Sequence, residues 1–308
     1  MDGVLVIDKP EGISSSDVCL RVKRALGARK AGHLGTLDPL ATGVLPVCLN
    51  QATKLVQFLM HQDKVYEADM ELGVETDTQD CQGTIVRRAA LAGITPAQVT
   101  ALVETFTGRQ RQLPPMYSAL KRNGVPLYRL ARRGEQVERP ERCITISELT
   151  VRAIALPRVR MRVACSAGTY VRTLCHDIGQ ALGCGAHLTA LRRVCSGPFS
   201  IADAVQLEDL FSDAGRECAR QHLIDNPTAL SGLPSVTVDA ATARRMRNGA
   251  QIGGDDIVGA VSPNPEPGTP VCVLGPGRDL VAVVQVQDTP AQHAGSPACK
   301  TLRVFLDA

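Results

Sequence analysis

Gly32-His33-Leu34-Gly35-Thr36-Leu37-Asp38-Pro39-Leu40-Ala41-Thr42-Gly43 places one carboxylate among three glycines, a proline and two threonines. Glycine lets a backbone come close to a ligand, and the residue before a proline is pushed out of helical geometry. The run therefore predicts a rigid, extended loop that presents Asp38, with Arg29-Lys30 ahead of it and His33 five residues before the acid. Gly, Asp and Pro also make ordinary turns. What surrounds the loop has to decide.

Upstream, Val4-Leu5-Val6-Ile7 predicts a buried strand ended by Lys9-Pro10-Glu11-Gly12. A helix follows, capped by Ser16 or Asp17, with Val18, Val22, Ala25 and Leu26 on one face and Gly27 as its stop. Downstream, Leu55, Val56, Leu59 and Met60 give a helical face, and Val65 to Leu72 alternates as a half-buried strand with Tyr66 on the covered side. Residues 75–83 read as a loop. Thr95-Pro96-Ala97-Gln98 is a helix start with a cap, a first-turn proline and a capping-box glutamine. Gly124 to Arg133 predicts a basic helix, and Val159 to Cys165 a strand with one basic face. That strand runs into Ser166-Ala167-Gly168-Thr169-Tyr170-Val171-Arg172 and a helix whose apolar face is Val171, Leu174, Ile178 and Leu182. Tyr170 and Arg172 fall at the start of that helix, where free N–H groups and the dipole favour an anion.

A chain of 308 residues exceeds the usual single-domain size, so two domains are expected. At 44% hydrophobic and 3% aromatic residues, with no Trp, its cores must be aliphatic. No run of about eighteen apolar residues predicts a membrane span, and the opening residues lack a signal-peptide pattern. Eleven cysteines without a Cys-x-x-Cys pair fit reduced thiols in a cytoplasmic protein. Cys184 and His187, near Cys175, His176 and Cys195, lack the second ligand pair of a zinc site, so no metal is expected. The formal charge is only +3, yet Arg109 to Arg142 carries nine cations against three carboxylates. That local excess suits a polyanion, although a solvated charged face accounts for it equally.

The Asp38 string, with VIDKPEGISSSD at the start, closely resembles the signature of the TruB family of tRNA pseudouridine synthases. Further motifs follow in the family's order: Lys64-Val65-Tyr66-Glu67-Ala68, PPMYSALKRNGVPLYRLAR from Pro114, CSAGTYVRTLCHDIG from Cys165 and AHLTALRR from Ala186. The resemblance covers most of positions 3 to 200. It implies an isomerase that needs no cofactor and turns uridine 55 in the T-loop of tRNA into pseudouridine, with Asp38 as nucleophile. Arg172 would pair with that carboxylate, and Tyr66 would stack on the base and take a proton. Substrate contacts would come from His33, filling the space of a flipped base, from Tyr170 and Leu191, and in a supporting role from Lys9. Tyr117 and Tyr128 are taken as structural. Leu34 stands where Thr is frequent in the family, and Ala167 replaces a frequent Lys, which thins a phosphate contact.

The expected fold is α/β (α+β): a mixed, largely antiparallel sheet flanked by helices, with an active-site cleft, plus a small C-terminal PUA-like β-barrel. The catalytic domain is placed at 1–232 and the PUA-like domain at 236–308, beyond a Pro-containing linker. From Val236 to Ala308 six cations face seven carboxylates, low for an RNA-binding unit. The expected partner is the tRNA T-stem-loop, without guide RNA, and a monomer is the default. Two rival readings stand beside it: a guide-RNA-dependent member of the same family, which the compact chain disfavours, and a non-catalytic RNA-binding protein, which intact Asp38, Tyr66 and Arg172 disfavour.

Overall fold

Val4-Leu5-Val6-Ile7 is apolar without alternation because both faces of its strand are covered, as in the interior of a sheet with layers on each side. Leu5 and Ile7 join one hydrophobic cluster, with Val18 and Val22 of the first helix. Val4 and Val6 join another, with Val44, Cys48 and Leu55. The computed structural model that reveals this describes residues 1–251, 257–260, 265–287 and 299–306.

The large sheet is mixed and ten-stranded, and helices flank it. Its main path runs Val205–Gln206, Gly3–Lys9, Thr42–Leu49, Ala186–Ser196, Lys64–Leu72, Arg158–Cys165, Arg142–Ala155, Gly108–Gln112. Ala31–His33 pairs with Thr42–Leu49, and Phe199–Ser200 with Ala186–Ser196. Two of these pairings are parallel, Gly3–Lys9 with Val205–Gln206 and Thr42–Leu49 with Ala186–Ser196. The rest are antiparallel, as expected.

Local chemistry accounts for several element boundaries. The first helix, Ser15–Ala25, is capped by Ser14, whose side chain accepts from the Asp17 amide; the expected caps Ser16 and Asp17 are themselves helical. The Thr95/Gln98 capping box forms as read and opens the helix Pro96–Glu104. The helix expected around Leu55 to Met60 is mostly a 3₁₀ segment, Asn50–Leu55, with one short α-turn, Val56–Leu59. The basic helix is shorter than its pattern: Val125–Pro126 pairs with Lys121–Arg122 and leaves Leu127–Ala131 helical. Pro126 cannot donate to an interior helix turn, which sets that start.

The C-terminal strands form an open five-stranded sheet among the described residues, and not a closed barrel: Ile257–Ala260, Ser235–Val238, Pro270–Leu274, Leu280–Val286, Cys299–Val304. Parts of the expected PUA-like unit, residues 252–256, 261–264, 288–298 and 307–308, lie outside the described residues. One side of this sheet encloses its own cluster of Val238, Ala243, Met246, Val273 and Val281. From the other, Cys272, Leu274, Val283 and Phe305 enter the cluster that holds Val4 and Val6. No helix among the described residues is long and apolar enough to cross a membrane.

Candidate active site

The Asp38 loop, residues 34–41, joins Ala31–His33 to Thr42–Leu49 and is held by backbone contacts from three directions. Lys9 ends the first strand fully buried, and its Nζ donates to the carbonyls of Pro10 (2.9 Å), Pro39 (3.2 Å) and Ala41 (2.7 Å). Ser15, at the start of the first helix, donates its hydroxyl to the Leu37 carbonyl (2.9 Å) and accepts from the Leu37 amide (2.8 Å). The Gly12 amide donates to the Pro39 carbonyl at 2.8 Å. Leu37, Leu40 and Ala41 sink into the core between these anchors. Gly43 closes the loop at φ +96°, where a Cβ would collide with the Arg193 carbonyl. A loop so pinned presents its acid in one geometry.

Arg172 sits behind that acid, in the first turn of the helix Val171–Ala181, at 3% exposure. Its Nε lies 2.9 Å from Asp38 Oδ2, at ion-pair distance but without an aligned hydrogen bond. Nη1 donates to the Thr78 carbonyl (2.9 Å) and Nη2 to the Tyr117 carbonyl (2.8 Å). Nη1 also lies 3.4 Å from Asp80 Oδ2. Asp80 is buried, and its Oδ1 accepts from the Thr78 hydroxyl (2.6 Å) and the Gln82 amide (3.1 Å). The helix start is fixed by Gln112, which accepts from the Tyr170 amide (2.8 Å) and donates to the Tyr170 carbonyl (3.1 Å). Two carboxylates thus share one buried guanidinium, and only Asp38 opens outward.

Asp38 keeps 35% of its side chain exposed, toward a pocket of about 290 Å³. Tyr66, Tyr170, Leu191 and Arg172 line that pocket with it, so five of the seven expected site residues meet there. Lys9 does not. Full burial leaves it no surface for substrate, so its place is beneath the loop and not among the substrate contacts. His33 is also outside the lining; it borders a neighbouring recess with Leu20 and Lys23, and its buried Nδ1 has no partner.

The sequence reading missed three residues. Asp80 lay in a segment read only as loop, and nothing local marks a carboxylate that will meet an arginine 92 positions away. Arg193 and Lys64 stand within the motifs, where nothing local marks a role for them. Arg193 stands directly opposite Tyr66 on the neighbouring strand and also lines the pocket. It is 1% exposed, with Nε donating to the Val44 carbonyl (2.7 Å) and Nη2 to the Gly35 carbonyl (3.1 Å). Lys64 donates to the carbonyls of Met60 (2.8 Å) and Gln62.

These neighbours shape the titration of the site. Burial pushes the Asp38 carboxyl above its ordinary value; Asp80 adds to the rise, and Arg172 and Lys9 oppose it. Burial also raises the Tyr66 phenol, with Arg193 pulling the other way. Lys9 and Lys64 are each pushed down to about 8 by burial. Among the described residues no group of three or more His, Cys, Asp or Glu side chains is placed to hold a metal. His187 Nδ1 is instead taken by the Val74 carbonyl at 3.0 Å. The arrangement offers one positioned carboxylate beside an aromatic ring, in a pocket of about 290 Å³.

Comparison with known proteins agrees across the chain. Residues 23–171 match the model for the TruB family pseudouridylate synthase N-terminal domain. Residues 172–226 match that for the tRNA pseudouridylate synthase B C-terminal domain. The chain is 45% identical to the tRNA pseudouridine synthase B of Syntrophotalea carbinolica over 309 residues, covering 100% of this chain and 99% of the relative. It is 46% identical to that of Geobacter sulfurreducens, covering 99% of this chain and 100% of the relative. Among solved structures, a chain from the crystal structure of a Cbf5-Nop10-Gar1 complex is similar at a TM-score of 0.77 and 30% identity, over 99% of this chain and 85% of that one.

Proposed function

The chain belongs to the TruB family of pseudouridylate synthases, and we propose that it acts alone on tRNA, converting uridine 55 of the T-loop to pseudouridine with Asp38 as nucleophile. The observation that carries the site assignment is the Asp38 carboxylate, open to a pocket and backed by buried Arg172.

In the proposed reaction Asp38 attacks C1′ of the target ribose, or shields cationic character there, and the C1′–N1 bond pair leaves with the uracil. The ring turns within the pocket, C5 bonds to C1′ as the Asp38–C1′ ester bond breaks and returns the free carboxylate, the C5 proton departs and N1 gains one. Nothing is oxidised, reduced or added, so these residues need no cofactor for the chemistry. Tyr66 stacks on the ring and takes the C5 proton as its own phenolic proton passes to solvent, from which N1 is protonated; burial keeps the phenol protonated beforehand. Tyr170 and the backbone of Leu191 bound the uracil edge. A paired base inside a T-loop must leave its stack to enter such a pocket, and His33, one recess away, is placed to occupy the gap. In this reading 1–232 is the catalytic unit and 236–308 an accessory, PUA-like RNA-binding unit.

The test is tritium release from tRNA labelled at uracil C5 in the T-loop, with purified protein and nothing else added. Release that vanishes when the target uridine becomes cytidine supports the reaction and its site. Binding without release overturns it. Release that requires an added guide RNA would move the protein to a guide-dependent role.

A further inference from the structure

A second cationic surface lies at the opposite end of the strand that leaves the Asp38 loop. Thr42–Leu49 starts beside the pocket and delivers Asn50 to the rim of another recess, of about 560 Å³. At ~3.3 Å per residue, the seven steps from Thr42 to Leu49 separate the two on the order of 23 Å. Asn50 organises this rim. In a left-handed conformation (φ +50°), its Oδ1 accepts from the amides of Arg29 (2.8 Å) and Lys30 (3.1 Å), and its backbone N–H donates to the Lys30 carbonyl (3.0 Å). Two exposed cations are thereby held on a fixed backbone.

Lys54 lines the same recess and is fastened from the C-terminal sheet: its Nζ donates to the Val304 carbonyl (2.7 Å) and lies 5.4 Å from the centroid of the Phe305 ring. Arg303 projects from the same strand, exposed. Burial pushes the Lys54 ammonium down, and Lys30 and Arg303 push it further, so the cations are close enough to repel one another. Among the described residues Arg29, Lys30, Lys54 and Arg303 form no ion pair, and Asp2 is the only carboxylate lining the recess. Four like charges gathered around a single carboxylate, on a chain of net charge +3, are stabilised when a polyanion arrives.

We propose that Arg29, Lys30, Lys54 and Arg303 form a composite phosphate-binding surface, shared by the catalytic body and the C-terminal sheet, that takes the backbone of the substrate RNA outside the T-arm. The proposal rests on the tRNA reading above and deepens it. It also gives the near-neutral C-terminal segment a part in binding, because a few cations placed against those of the body suffice where the segment's total charge does not.

Two RNAs separate the possibilities: a full-length unmodified tRNA transcript and a hairpin of its T-arm alone. In K30Q/R303Q, two exposed positions remote from the pocket, affinity for the full transcript should fall about tenfold at low salt. The slope of log affinity against log salt should become shallower by about 2. Hairpin affinity and pseudouridine formation on the hairpin should not change. D2N, which removes the opposing charge, should tighten full-length binding, a gain that a folding defect cannot produce. Equal losses on both RNAs would overturn the proposal by assigning the surface to the T-arm. No loss on either would show solvated cations only, and displacement of the effect by inorganic phosphate at millimolar concentration with no tRNA dependence would show a small-anion site. If wild type forms no pseudouridine in either RNA, the functional reading fails, while the affinity difference still reports on this surface.

Discussion

Asp80 lies 3.4 Å from the guanidinium of Arg172, the same guanidinium that reaches Asp38 at 2.9 Å. The buried acid therefore competes with the open one for a single cation. It also orients that cation, because Arg172 has no other carboxylate among the described residues to align it.

Replacing Asp80 with Asn should lower kcat by about 10- to 100-fold through misalignment, on the scale of a lost positioning contact. It should also move the acid limb of the pH–rate profile. Asp80 helps raise the Asp38 carboxyl, so removing its charge lets Asp38 ionise at lower pH. The limb should shift toward acid; an unchanged limb would contradict the shared-cation arrangement.

Asp38→Asn keeps the shape of the loop and removes the proposed nucleophile. Turnover should fall by at least about a thousandfold, while tRNA affinity measured by filter binding stays within about twofold. Retained turnover would remove Asp38 from the reaction.

Lys9→Met would leave the carbonyls of Pro10 and Ala41 without their donor, while Pro39 keeps the Gly12 amide. Each buried unmet acceptor costs about 1–3 kcal/mol, but a buried ammonium is itself costly, so net stability should change less than the sum. The sharper effect is on kcat, expected to drop about tenfold or more as the loop loosens, with KM little changed. Because Lys9 titrates at about 8 in the fold and near 10.5 when unfolded, the unfolded chain binds more protons between those values. Wild-type stability should gain from this group as pH rises through that window, and the Met variant should lose the gain.

Gly43→Ala forces a side chain into a left-handed backbone and against the Arg193 carbonyl. A loss of about 2 kcal/mol or more is expected, seen as a lower urea midpoint at unchanged slope.

The sequence was most informative where local chemistry decides the outcome. The Val65–Leu72 alternation placed Tyr66 on the covered side, and Lys64–Leu72 is a strand with Tyr66 at 8% exposure. The Thr95/Gln98 box and the face of Val171, Leu174 and Ile178 were equally readable, because caps and periodicity involve neighbours a few residues apart. The family resemblance pointed to Asp38, Arg172, Tyr66, Tyr170 and Leu191, which meet at one pocket. Asp80 and Arg193 escaped because their partners are set by sheet order and by a turn packed across the cleft, which no local pattern encodes. For Lys9 only its place in the N-terminal motif suggests a supporting role; that it holds three carbonyls of the loop is a tertiary fact.

Val4 and Phe305 belong to one apolar cluster, one near each terminus. On a ribosome adding ~5–20 residues per second, roughly 15 to 60 s pass between their syntheses. Until the end of that interval Val4, Val6, Cys48 and Leu55 lack their last covering residue, Phe305. Nascent chains stalled short of the final strand should therefore present a greasy flank to chaperones even when the Asp38 pocket is already assembled, and premature termination would turn a nearly finished catalyst into an aggregation-prone one.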